Sequence, residues 1–69
     1  MQVFETLVTV GHEARRFTET VQRFIEARSD DPEFAVSVKS EPLGDREHKV
    51  ITFWNDEAGE AFCALWRSA

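Results

Sequence analysis

Apolar residues recur along this chain in two rhythms. They come every second residue from Glu33 to Ser40 and every third or fourth from His12 to Arg28 and near the end, while Gln2 to Val10 is rich in Val, Thr and Phe, as strands are, and Arg46 to Trp54 carries apolar residues on both faces. A period of two marks a strand and a period near 3.6 a helix, so the order reads strand, helix, strand, strand, helix.

In the first strand Phe4, Thr6, Val8 and Val10 fall on one face, and Val3, Glu5, Leu7 and Thr9 on the other. Both faces are partly apolar, whereas a strand with one wet face alternates more cleanly. Gly11 breaks the strand. The first helix then lines up Ala14, Phe17, Val21, Phe24, Ile25 and Arg28 as one stripe, with Glu13, Arg16, Glu19, Gln22, Arg23 and Glu26 opposite. Ser29-Asp30-Asp31-Pro32 stops it, because proline cannot continue a helix.

Glu33 to Ser40 alternates again, with Phe34, Val36 and Val38 on one side. Glu41 to Asp45 contains Pro42 and Gly44 and reads as a turn. Arg46 to Trp54 is the third strand: Glu47, Lys49, Ile51 and Phe53 share one face, His48, Val50, Thr52 and Trp54 the other. Asn55 is a good N-cap for the last helix, with Asp56 and Glu57 in its first turn. Its stripe is Ala58, Ala61, Phe62, Leu65 and Trp66, and Gly59 weakens it by roughly 1 kcal/mol relative to alanine.

A right-handed crossover makes the first two strands parallel, and the hairpin makes the third antiparallel to the second. Slotting the third between them gives an α+β sheet of order 1-3-2 with both helices on one face. This is the ferredoxin-like arrangement lacking the last strand, an analogy of architecture that carries no function. The expected core is Phe4, Val8, Val10, Phe34, Val36, Val38, Ile51 and Phe53 from the sheet, under Phe17, Val21, Phe24, Phe62, Leu65 and Trp66 from the helices.

The other sheet face then has no cover, and no sixth element follows to pair with the first strand. An unpaired strand edge invites another chain. The expected interaction surface is Val3, Glu5, Leu7, Val50, Thr52 and Trp54. Covering its four apolar side chains removes roughly 300 Å² from water, or roughly 7–8 kcal/mol gross at about 25 cal/mol per Å², against association costs of about 4–15 kcal/mol. Face burial therefore supports a dimer only if edge pairing adds to it.

Length points the same way. Sixty-nine residues read as a single domain, 1–69. A chain of this size buries only about 60% of its unfolded surface, which makes self-association a common route to further burial. Cys63 is the only cysteine, so no disulfide staples the chain, and it reads as a small apolar filler. The net charge of −5 is spread over the whole sequence. The densest basic group, Arg15, Arg16 and Arg23, is interleaved with glutamates, which disfavours nucleic acid as a partner. No membrane span or signal peptide is read, and the composition suits the cytoplasm.

Candidate chemistry is thin. His12 reads as a solvated first-turn residue, and His48 as a solvent-facing strand residue with no partner motif. Asp30, Asp31 and Glu33 flank a helix stop and lack the spacing of a calcium loop. There is no phosphate loop, nucleophile elbow or metal signature, so no catalytic residue, cofactor or metal is expected. The functional expectation is a small acidic non-enzymatic interaction module that forms a homodimer through the first strand and the open face. A larger protein partner, with this chain as inhibitor or adaptor, fits the same surface. The alternative is a dimeric ligand-binding protein or cofactor-free enzyme with a pocket between sheet and helices, which needs His12, Arg15, His48 or Trp54 to converge.

Overall fold

A computed structural model of the chain describes residues 2–68. Its elements run β1 (Gln2–Thr9), α1 (His12–Arg28), β2 (Ser37–Leu43), β3 (Arg46–Phe53) and α2 (Asp56–Ser68). The three strands form one sheet in the order β1-β3-β2, and β3 is antiparallel to both neighbours. This is the α+β architecture that the hydrophobic pattern predicts.

The core is a nest of phenylalanines between the sheet and the helices. Phe62 of α2 is fully buried and sits at its centre. Its ring lies 5.5 Å from Phe4, 6.0 Å from Phe17, 5.6 Å from Phe24 and 5.5 Å from Phe53. Most of these meet edge to face, the arrangement that the ring quadrupoles favour. Val8, Val21, Ile51 and Ala58 close the nest. Helix α2 starts where Asn55 caps it, its Oδ1 accepting the Ala58 N–H at 2.8 Å. Gly59 has a reason beyond propensity, because a Cβ there meets the side chain of Gln2.

Helix α1 lies against β1 and α2, and α2 lies against β1 and β3. Strand β2 falls outside that cover, and all seven of its residues are exposed. Val38 faces the helix side, opposite Ile51, yet is 45% exposed, so its expected core role is corrected. Between them the two helices sit over β1 and β3 and leave β2 uncovered. Val10 also leaves the expected core: β1 ends at Thr9, and Val10 sits in the turn, 46% exposed.

The second strand is displaced from its expected span of Glu33 to Ser40. The hairpin turns on Gly44 and Asp45 alone, and the positive φ of Gly44 (68°) at the first central position suits a type II′ turn. Glu41, Pro42 and Leu43, read from sequence as turn, therefore belong to β2. Residues 29–36 connect α1 to β2, and Phe34 packs on Trp54 with ring centroids 4.9 Å apart.

These burials rank the side chains. Phe62→Ala should cost about 3–5 kcal/mol, much of the stability of a domain this small. Val38→Ala should cost under about 1 kcal/mol, because the site is half wet. Urea unfolding followed by far-ultraviolet circular dichroism checks both, and equal costs would contradict the placement of β2 outside the roof.

Candidate interaction edge and face

Strand β1 pairs with β3 on one side and has no strand on the other among the described residues. The phase of its ladder follows from one bond: Val10 N–H donates across to the Asp45 carbonyl at 3.0 Å. Backbone groups of an antiparallel strand alternate sides. Gln2, Phe4, Thr6 and Val8 therefore turn their amides to β3, and Val3, Glu5, Leu7 and Thr9 turn theirs outward. One outward group is already taken, since Thr9 N–H donates to Glu13 Oε1 at 2.7 Å. Val3, Glu5 and Leu7 remain as a free set that is symmetric about Glu5.

The opposite edge, β2, is built differently. Pro42 stands opposite Glu47, and Glu47 turns its backbone to β1. The same alternation points the Pro42 nitrogen away from β3, onto the free edge, where it removes a donor without breaking the ladder. Lys39 and Glu41 add charge beside it. Proline and charge are the usual means by which an edge strand avoids pairing. Strand β1 carries no proline and a single charge.

The face away from the helices continues this edge. Val3 is 52% exposed, Leu7 50% and Leu43 49%, while Val50 and Thr52 are half-buried. Leu43 joins the face only because β2 extends through it, and reading that stretch as a turn hid it. At the centre stands His48, half-buried, directly across from Leu7 on β1 and Glu41 on β2. Its Nε2 lies 3.2 Å from Glu5 Oε1. It borders two shallow depressions, of about 390 Å³ beside Leu7 and Leu43 and about 510 Å³ beside Lys39 and Glu41. His48 is thus a partnered residue, contrary to its reading as a lone solvent-facing one.

Trp54 is the correction among the expected surface residues. Strand β3 ends at Phe53, so the alternation does not reach position 54. The indole turns to the helix side, 5.8 Å from Phe24, and its Nε1–H donates to Asp31 Oδ2 at 3.2 Å. Asp31 also accepts the Glu33 amide at 2.9 Å, so the acidic loop is held by local bonds. His12 is exposed at the start of α1, and Cys63 is a free, half-buried thiol.

On the helix side, Lys49 is nearly covered and fully partnered. Its Nζ reaches Glu47 at 2.9 Å and Ser40 Oγ at 2.8 Å, and lies 5.8 Å from the Phe17 ring. The guanidinium of Arg16 lies 4.2 Å from the Trp66 ring. These contacts join β3 and α2 to their neighbours. Among the described residues no three His, Cys, Asp or Glu side chains are grouped to hold a metal, and no helix is long and apolar enough to cross a membrane.

If Trp54 belongs to the interior, Trp54→Phe should cost about 1 kcal/mol through the lost bond to Asp31. It should leave the solution mass unchanged. Urea unfolding and sedimentation velocity measure the two effects, and a change of mass would return Trp54 to the surface. No family model matches the chain, and no curated protein or solved structure matches it either.

Proposed function

We propose that this chain is an interaction module that self-associates through β1. Two copies pair their free edges antiparallel about a two-fold axis at Glu5, giving one continuous six-stranded sheet. The observation that carries this reading is the contrast between the two edges: β2 is blunted by Pro42 and flanking charge, whereas β1 offers unpaired backbone at Val3, Glu5 and Leu7.

The edge is self-complementary. The axis at Glu5 sets Val3 of one copy beside Leu7 of the other, twice, and both side chains are about half exposed in the single chain. Such a contact is isologous, as a two-fold interface must be. Hydrophobic patterning selects the register, since a slip by one residue sends every side chain to the wrong face. The paired edges are short, at the low end of interface sizes below about 1,200 Å², which suits micromolar affinity. The same face-and-edge surface supports binding over catalysis. The interior is filled by aromatic rings, and His12 and His48 stand at the start of α1 and on the open face.

Analytical ultracentrifugation of the wild type up to roughly 500 µM, between about pH 5.5 and 7.5, tests the reading against the micromolar expectation. A concentration-dependent dimer is expected. Leu7→Lys should abolish it, while Val38→Lys, an equal change beside the other edge, should leave it. A wild type monomeric throughout, or a dimer lost with Val38→Lys and kept with Leu7→Lys, overturns it.

A further inference from the structure

The two-fold pairing has an electrostatic cost at its centre. An axis at Glu5 places the two Glu5 side chains directly opposite one another on the open face. Like charges in that cross-strand position destabilise a pair of strands. Nothing on β1 relieves this, because Glu5 is its only charged residue. Relief can come from the neighbouring strand. His48 Nε2 lies 3.2 Å from Glu5 Oε1, diagonally across β1 and β3.

We propose that this Glu5–His48 pair gates self-association by protonation, a reading that rests on the β1 pairing above. With both imidazoles charged, each Glu5 meets the seam with a cation beside it, and the four groups sum to zero. With both imidazoles neutral, two carboxylates confront each other across the axis. The paired state therefore holds more protons than two separate chains. By linkage it strengthens as pH falls through the histidine range and weakens as pH rises.

The surroundings of His48 set the direction and the size of the effect. Across from it on β2 stands Glu41, with Lys39 diagonal to it, and Arg46 lies two residues along β3 on the same face. Glu47 and Lys49 face the helix side and are paired with one another. The imidazole's ion-pair partner is thus anionic, and the flanking Lys39 and Arg46 are cations that oppose it. Glu5 is 61% exposed and the His48 side chain 32%, so solvent screens the pair and the gate is modest. About three- to tenfold in dimer dissociation constant between about pH 7.5 and 5.5 is the expected size. The response shrinks in high salt.

The chain's net charge of −5 offers a second reason for two copies to associate better in acid, so the experiment separates the two. Sedimentation equilibrium at the two pH values compares the wild type with His48→Gln and Glu5→Gln, with circular dichroism verifying that each variant is folded. The wild type should tighten about three- to tenfold in acid. His48→Gln should lose that response and stay weak. Glu5→Gln should be tight at both pH values. A wild-type dimer with no response to pH, or a response that persists in His48→Gln, overturns the gate and leaves β1 pairing standing. A dimer in Glu5→Gln beside a wild type that stays monomeric at both pH values overturns the gate together with self-association of the wild type. Monomers in all three proteins at both pH values overturn the pairing itself.

Discussion

Among the described residues, the central strand, β3, is the only one paired on both sides. Residues 46–53 pair with β1 through one set of amides and with β2 through the other. An antiparallel ladder with both flanks filled leaves β3 no freedom of register, and β3 then dictates the register of its neighbours. It also supplies Ile51 and Phe53, two of the five largest fully buried side chains, to the aromatic nest. The two outer strands depend on it in unequal ways. Strand β1 is held by β3 and by packing from both helices, whereas β2 is held mainly by the ladder and the Gly44-Asp45 turn.

That inequality explains why the two edges differ chemically. Strand β2, wet on both faces, has little apolar burial to hold it in place. An edge so weakly held is the place where a foreign strand would displace or extend the sheet, and Pro42, Lys39 and Glu41 oppose that. Strand β1 is firmly seated and needs no such protection against slipping. Its free amides are therefore presented on a rigid support, which lowers the ordering cost of pairing. Rigidity and an unblunted edge occur on the same strand.

The sequence makes the order of elements readable because both helices keep a period near 3.6 over several turns and the stretches between them are rich in strand-forming residues. It misleads where the period is silent about a third dimension. Phe34, Val36 and Val38 alternate well, but alternation says which side a residue faces, not whether a helix reaches it. Pro42 reads as a turn breaker because proline is rare within strands, yet an outward-pointing nitrogen at an edge removes that objection. The error hid Leu43. Trp54 fails for a different reason: parity along a strand holds only while the strand lasts, and β3 ends one residue earlier. Among the expected surface residues, Val3, Glu5, Leu7, Val50 and Thr52 do share one face, since parity holds within each strand and the register sets Val3 across from Thr52 and Glu5 across from Val50. The partnership of Glu5 with His48 was not legible, because it depends on which residue of β1 stands across from which residue of β3.

The register carries one further consequence. The alternation that turns the Glu5 amide outward also puts its carboxylate on the open face, because both follow from its odd position in β1. The only strand charge beside the free edge is thereby fixed on the same side as His48. Had β3 been shifted by one residue, His48 would face the helices in the place of Lys49, and the carboxylate at the edge would have no imidazole near it. A single phase of the ladder thus determines three things together: which backbone groups are free, which apolar residues flank them, and which titratable pair stands between.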